Sequence, residues 1–344
     1  MASPPKIRLR IEPYGRLIDA RPDRTLLDAA LAAGLNLPHS CKSGHCSSCR
    51  ATLREGAVRY PRGTPPGLTA AEAAAGEVLL CQAYAASDAL AIEARVVARA
   101  GTAEIRTLPC RIERRVRLAA DVLQVFLRLP ATEAAAFLPG QYLDVLLDGG
   151  RRRSFSLACP PHDAALLELH VRRVAGGGFT AKLFDELADG ALLRIELPIG
   201  QFVYRDSAAP MLAIAGGTGW APLKSMLRHI FERGPARDVH LFWGARSAAD
   251  LYEDALLREW TARYARLRYT PVLSHADPAR DPAAARYEHG WVHAAVLRHY
   301  PDLAPFEVYA AGPPEMIAAI RAQFPAAGLA ADRLFFDSFD YAPR

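Results

Sequence analysis

Residues 36–50 read NLPHSCKSGHCSSCR and set Cys41, Cys46 and Cys49 in a C-x4-C-x2-C run, to which LLCQA at residues 79–83 adds Cys81. This is the spacing of a 2Fe-2S site, in which three thiolates on one tight loop surround one side of the cluster and a distant fourth closes it. The small residues Ser43, Gly44, Ser47 and Ser48 let backbone N–H groups approach the sulfurs, where hydrogen bonds stabilise negative charge and tune potential. The alternative is a structural zinc site, but zinc ribbons bring two close cysteine pairs and here only Cys46 and Cys49 form one. A Rieske centre needs two His ligands beside two Cys, a pattern that His39 and His45 do not make. Cys110 and Cys159 stand alone in apolar, strand-like surroundings and read as small buried hydrophobes.

Outward from this loop, residues 6–12 and 15–19 alternate like two strands joined by Pro13-Tyr14-Gly15, and Thr25 caps a helical pattern over 26–34. Strand-like stretches at 49–55 and 77–83 bracket a Pro/Gly-rich loop at 61–67. Another follows at 90–98, before a short polar linker at 99–104. Closely spaced strands at 110–117, 122–129, 142–147, 154–158 and 166–173, with one helix at 180–187, then suggest a small antiparallel barrel. From Pro210 the rhythm changes to strand 211–215, helix 222–233 closed by Gly234, strand 239–243, helix 251–264, strand 267–273, strand 308–310 and helix 314–324. Such alternation is the signature of a parallel sheet with helices on both faces.

The whole chain has 344 residues, more than one core ordinarily fills, because single cores stop growing at roughly 250 to 300 residues. With 51% hydrophobic and 23% charged residues it is globular in composition. The net charge of +5 is spread along the chain, which argues against nucleic-acid binding. The first residues, MASPPKIRLRIEPYG, lack the apolar core of a signal peptide, and no run approaches the ~20 apolar residues of a membrane span. A cytoplasmic protein, monomeric when isolated and away from membranes, is expected.

The cysteine loop also carries a resemblance. Residues 36–95 resemble the plant-type ferredoxin domain at the front of bacterial oxygenase reductases, with Ser47 standing where that family usually has Gly. Downstream, Pro139-Gly140-Gln141-Tyr142 followed by Arg153-Ser154-Phe155-Ser156 resembles the R-x-Y-S flavin motif of the ferredoxin-NADP reductase superfamily. The resemblance implies that Arg153 neutralises the FAD pyrophosphate, Phe155 packs against the flavin or ribityl chain in place of the usual Tyr, and Ser156 hydrogen-bonds near the reactive N5. Gly176-Gly177-Gly178-Phe179-Thr180 stands where relatives place a loop and helix start beneath the flavin phosphates, a setting that favours an anion. His170 and Arg172 lie on the preceding strand, where relatives contact FAD; the plain alternative is a solvated strand face.

Gly216-Gly217-Thr218-Gly219-Trp220-Ala221-Pro222 follows an apolar strand and opens a helix, as a nucleotide-phosphate loop must, and resembles the GGTGIAP segment of the same superfamily. There the Thr approaches the nicotinamide and the glycines admit the pyrophosphate. Gly312-Pro313-Pro314 resembles its C-G-P-P element, with Ala311 in place of Cys, and Phe339 stands where a terminal aromatic covers the flavin.

The resemblance implies a multidomain α+β and α/β chain: a β-grasp 2Fe-2S ferredoxin at 1–98, a six-stranded antiparallel FAD-binding β-barrel at 104–207, and a parallel-sheet NAD-binding domain at 208–344. It further implies an NADH-dependent reductase with Ser156, Thr218 and Phe339 nearest the chemistry. Its electrons pass from NADH through FAD and the 2Fe-2S cluster to a separate acceptor, an oxygenase or dehydratase component. NADH is expected over NADPH, with Asp250 opposing a 2′-phosphate and Arg246 attracting one. Two alternatives stand: CDP-6-deoxy-3,4-glucoseen reductase, which shares stretches like LELHVRRVAGGGFT and GGTGWAPLKSML, and a zinc-stabilised nucleotide-binding regulator.

Overall fold

The computed structural model describes residues 7–339 apart from 36, 38, 40, 41, 43, 45–48, 95–103, 175, 177, 235–236 and 276–281. Cys41, Cys46 and Gly177 therefore lie outside the described residues, as does most of the expected linker. The chain divides into two compact units, Met1–Thr102 and Ala103–Arg344.

In the first unit, β1 (Ile7–Glu12) and β2 (Arg16–Ala20) form a hairpin, and α1 (Leu26–Ala32) follows, capped by the Thr25 hydroxyl. β3 (Arg50–Glu55), β4 (Val58–Arg59), α2 (Ala70–Ala74), β5 (Glu77–Leu79), β6 (Tyr84–Ala85) and β7 (Ala89–Glu93) complete it. The main sheet has order β2-β1-β7-β3-β5, with β1 and β7 parallel, and it grasps α1 through Leu26, Leu27 and Ala30. Two expectations change here. The strand foreseen at 77–83 stops at Leu79, because the Gln82 and Ala83 amides turn back onto the Leu79 carbonyl. That turn carries Cys81 toward Cys49. The short α2 was not foreseen, although the capping box Thr69-x-x-Glu72 that starts it is a sequence signal.

The second unit opens with β8 (Arg106–Ala119), β9 (Val122–Arg128), β10 (Tyr142–Leu146), β11 (Arg152–Ser156), β12 (Leu167–Arg172), α3 (Gly178–Asp185) and β13 (Leu192–Ile199). Their order β11-β10-β13-β8-β9-β12 is antiparallel throughout, and a Leu157–Leu169 bridge joins the two edges into the expected six-stranded barrel. The barrel core holds Leu143, Val145, Leu157, Leu169, Val171 and Phe179. β13 was not anticipated, since its eight residues mix charge and apolar character.

The same unit continues with β14 (Met211–Gly216), α4 (Trp220–Arg233), β15 (Val239–Ala245), α5 (Asp254–Arg263), β16 (Leu267–Leu273), β17 (Glu288–His289), α6 (Val292–His299), β18 (Glu307–Gly312), α7 (Pro314–Gln323) and β19 (Leu334–Ser338). All pairings in this sheet are parallel, in the order β17-β16-β15-β14-β18-β19. β14 is buried on both faces: Met211, Ala213 and Ala215 join the core with α4, while Leu212 and Ile214 join the core with α6 and α7. A strand buried on both sides reads as an unbroken apolar run, which explains why it was legible. The helix expected at 251–264 is shorter because a 3-10 turn, Ala248–Asp250, precedes it. α4 begins two residues before Pro222, and α6, β17 and β19 were not anticipated.

Candidate cofactor sites

Cys49 ends the cysteine loop at the start of β3, and Cys81 sits on the turn after β5; both are buried in the core of the first unit. The Cys81 amide donates to Cys49 Sγ at 3.4 Å, the kind of contact that stabilises charge on a ligating thiolate. Gly44 has φ +84°, and a Cβ there would stand 2.7 Å from Pro65 Cβ and 2.8 Å from Gln82 Cγ, so the loop packs where only glycine fits. Gln82 anchors it by donating to the Lys42 carbonyl at 2.7 Å. Thiolate donors and an amide aimed at sulfur fit a 2Fe-2S group. By contrast, burial pushes the Cys110 and Cys159 thiols up to about 12, as suits inert core residues.

In the barrel, Gly140 has φ +100° and a Cβ there would meet the Phe202 carbonyl at 2.3 Å. Gln141 is buried beside it, accepting from the Leu138 amide at 2.7 Å and donating to the Gly200 carbonyl at 3.1 Å. This rigid turn leads into β10, which pairs with β11 and so orders Arg153, Ser154, Phe155 and Ser156 along one edge strand. Ser154 donates to Asp144 at 2.6 Å, Arg153 donates to its neighbour's carbonyl, and Ser156 is buried. Phe155 lies 5.9 Å from Phe179, centroid to centroid, at the start of α3. Thr180 accepts from the Val174 amide at 3.2 Å, and an added methyl at Gly178 would meet no protein atom within 4 Å. Arg153, Phe155 and the open amino end of α3 thus share one region of the barrel wall, a donor set that suits a flavin with an anionic tail.

Strand β12 faces the nucleotide half. His170 is buried and not on a solvated face, which corrects the plainer of the two expectations. Its Nε2 lies 3.0 Å from Glu168 Oε1 and its Nδ1 3.1 Å from the Tyr252 hydroxyl. Arg172 lies between Asp121 (3.4 Å) and Asp250 (3.9 Å), and its Nε and Nη2 are buried without a hydrogen-bond partner. Its guanidinium carbon is 3.7 Å from where a Cβ on Gly217 would be. Orphaned buried donors against a glycine loop mark a place for an anion.

That loop sits at the carboxyl ends of the parallel strands. Gly217–Gly219 forms one 3-10 turn between β14 and α4, and Gly217 has φ +55°. A Cβ at Gly219 would stand 1.9 Å from the Ala311 carbonyl oxygen, and one at Gly216 2.6 Å from Pro313 Cδ. The Phe339 amide donates to the Gly312 carbonyl at 2.8 Å. Gly216, Gly217, Thr218, Gly219, Gly312, Pro313 and Phe339 are thereby gathered on adjoining strands, where β14 lies between β15 and β18 and the chain order reverses, the crevice in which open α/β sheets bind ligands. Pro222 lies within α4 and is buried. Asp250 is occupied as a cap, accepting from the Ser247 amide at 3.1 Å and hydroxyl at 2.9 Å, with Arg246 Nη2 3.5 Å away. Sequence reasoning missed Glu168, Lys224 and Glu253, which meet in the buried interior between barrel and nucleotide half. Buried charges at unrelated chain positions carry no local signal.

The fold and these sites define an iron-sulfur flavoprotein oxidoreductase. The chain matches the 2Fe-2S iron-sulfur cluster binding domain over residues 9–86, the oxidoreductase FAD-binding domain over 109–204 and the oxidoreductase NAD-binding domain over 213–322. It is 36% identical over 333 residues to CDP-6-deoxy-L-threo-D-glycero-4-hexulose-3-dehydrase reductase of Yersinia pestis, covering 97% of this chain and 98% of that one. It is 34% identical to terephthalate 1,2-dioxygenase reductase component 1 of Comamonas, covering 94% of each. The crystal structure of an Amycolatopsis cytochrome P450 reductase superposes with a TM-score of 0.75 at 34% identity, covering 97% of this chain and 98% of that chain. The chain belongs to the ferredoxin-fused reductases of the ferredoxin-NADP reductase superfamily, and its cofactors are a 2Fe-2S cluster, FAD and a nicotinamide nucleotide. The cluster-domain match takes the place of the zinc-stabilised alternative.

Proposed function

We propose that this protein oxidises NADH and delivers electrons one at a time, through FAD and then the cluster, to a separate acceptor protein. When bound, FAD takes up an electron pair and releases its electrons singly, which is what links a two-electron donor to a one-electron cluster. The observation that carries the reading is the approach of a turn and a strand end from the two halves of the second unit: the nucleotide loop at Gly217 abuts Arg172 at the end of barrel strand β12. Arg172, whose buried Nε and Nη2 make no hydrogen bond, would hold the NADH phosphates, and Gly216, Gly217 and Gly219 would let the nucleotide pass close to the backbone. Arg153 and the glycine-led start of α3 (Gly177, Gly178, Phe179, Thr180) would hold the FAD pyrophosphate. Phe155 would pack on the flavin, and Ser156 and Thr218 would orient the two rings, with Phe339 covering them. Cys41, Cys46, Cys49 and Cys81 would ligate the cluster.

NADH is preferred because Asp250 is already held in place by Ser247 and faces Arg246 and Arg172, so a 2′-phosphate would meet a fixed carboxylate. We place the domain limits at 1–98, 104–207 and 208–344. The acceptor is an oxygenase or dehydratase component. Relatives of both kinds support this reading, the dehydrase reductase at 36% identity and the dioxygenase reductase at 34%, each over nearly the whole chain. A cytoplasmic setting suits thiolate ligands and NADH. We also infer a monomer, since among the described residues the six exposed large apolar side chains are spread over both units, and no nucleic-acid partner, since the net charge of +5 is spread along the chain. No described helix is long and apolar enough to cross a membrane.

Rapid mixing with NADH without oxygen should bleach flavin absorption before cluster absorption. Recovery of FMN alone after heat release, or a tenfold better kcat/KM with NADPH, would overturn the cofactor assignments.

A further inference from the structure

Lys224 projects from the first turns of α4 into the interior, only 6% exposed, and its Nζ lies 2.8 Å from Glu168 Oε1 and 2.5 Å from Glu253 Oε1. Glu168 comes from barrel strand β12, whereas Lys224 and Glu253 come from the nucleotide half. The carboxylates have further donors: Gln124 and His170 on Glu168 Oε1, at 2.7 and 3.0 Å, and the Trp220 indole on Glu253 Oε2 at 2.6 Å. Arg228 adds positive charge at the rim, its Nη1 3.6 Å from Glu168 Oε2 while its Nη2 bonds to Asp163. Burial alone would raise the Glu168 carboxyl, but the His170 and Lys224 contacts outweigh it and hold the group well below the usual carboxylate range. Glu168, His170 and Glu253 bring ligand atoms within 4.8 Å of one another, as a divalent cation would need, but the ammonium of Lys224 already bonds to both carboxylates.

Such a cluster is a poor means of stabilising a protein. Desolvating three charges costs about as much as their attraction returns, and well-packed apolar groups commonly do as well or better. What a buried, directional cluster does supply is one fixed arrangement of the elements that contribute to it. Here those elements lead to the nucleotide loop from two sides. From Glu253 the path runs through the Trp220 indole to the Trp243 ring, 5.6 Å away, whose Nε1 donates to the Gly217 carbonyl at 2.9 Å. From Glu168 it runs along alternate residues of β12 through His170 to Arg172, which stands against Gly217.

We propose that Lys224, with Glu168 and Glu253, is a positioning strut that fixes the nicotinamide loop against the flavin barrel and so sets how the two rings meet. The strut rests on the reading that this loop binds NADH and the barrel binds FAD. It touches neither ligand and acts through Gly217.

The test uses the full chain. Lys224→Met removes the ammonium that both buried carboxylates share, so the triple variant Lys224→Met/Glu168→Gln/Glu253→Gln, which removes every charge of the strut, accompanies it in case the single variant does not fold. Three readouts are expected to move in the triple variant. The limiting rate of flavin reduction falls at least tenfold while the NADH concentration for half-maximal rate changes less than threefold. The long-wavelength charge-transfer absorbance of stacked nicotinamide and flavin is lost. In flavin-free protein, amide exchange over residues 216–225 quickens at least tenfold. A triple variant with wild-type limiting rate, charge-transfer band and exchange would overturn the strut. Failure of the underlying reading would look different, because the wild type itself would then show no flavin reduction by NADH.

Discussion

At the scale of single residues, the nucleotide loop depends on atoms that are missing. Gly219 has an ordinary helical φ of −57°, so its requirement for glycine is purely steric: a methyl would meet the Ala311 main chain, which cannot give way. Gly219→Ala should lose about 1–3 kcal/mol of stability, the usual range for overpacking, and raise KM for NADH at least tenfold. Gly178 offers the contrast, since no protein atom lies within 4 Å of its added methyl. Gly178→Ala should leave urea unfolding of the apoprotein unchanged and lower FAD occupancy; unaltered occupancy would remove this glycine from the flavin site.

His240 shows what burial does to a residue with no part in the chemistry. It hydrogen-bonds to Tyr300 at 2.9 Å and Thr270 at 2.8 Å. Burial, aided by the nearby His299 and Arg268 charges and opposed by Glu288, pushes its imidazole down to about 4. Below about pH 6.5 the unfolded chain takes up a proton that the folded protein refuses until near pH 4. Stability is thus full above that window and falls as pH drops through it, by about 2 kcal/mol at pH 5. His240→Gln should remove that much of the difference in unfolding free energy between pH 7.5 and 5.

At the scale of elements, β12 does more than close the barrel. Alternation along a strand puts Glu168, His170 and Arg172 on one face, and that face meets the nucleotide half through Lys224, Tyr252 and Gly217. Arg172→Leu should keep the flavin and the fold yet raise KM for NADH about 10- to 100-fold, as loss of a charge-assisted hydrogen bond predicts. Steady-state kinetics beside a flavin spectrum checks it, and an unchanged KM would leave the buried orphan nitrogens unexplained. The strand itself was legible from its apolar alternation. Its polar face was not, because the partners that make Glu168 and His170 buried lie 56 and 82 residues away along the chain. Likewise α2 is too short for a periodic pattern, and β13 has too mixed a composition for one, so tertiary pairing with β8 and β10 decides it.

At the scale of the whole molecule, the residues proposed to hold the cluster and those proposed to hold flavin and nucleotide belong to different compact units, Met1–Thr102 and Ala103–Arg344. The second unit has its own barrel core and both cores of the parallel sheet, as independent folding requires. Cys46→Ser in the full chain, and a chain reduced to residues 104–344, should therefore both keep NADH-dependent reduction of ferricyanide, which draws on flavin. Both should lose most transfer to cytochrome c. Full cytochrome c reduction by either protein would mean that electrons leave from the flavin.

The cysteine spacing, the R-x-F-S and GGTG runs and the shift from closely spaced strands to strand-helix alternation carry the family resemblance, and that resemblance implied three domains in order and their cofactors. Each of these signals is local: a few adjacent residues whose chemistry and backbone freedom are needed together at one loop. Only the tertiary structure decided where Arg172 stands, that Asp250 is held by Ser247 as a cap, and that Lys224 joins two carboxylates from opposite sides of an internal boundary. The reason is that desolvation and pairing depend on what the fold brings within about 4 Å, a quantity that spacing along a chain does not encode.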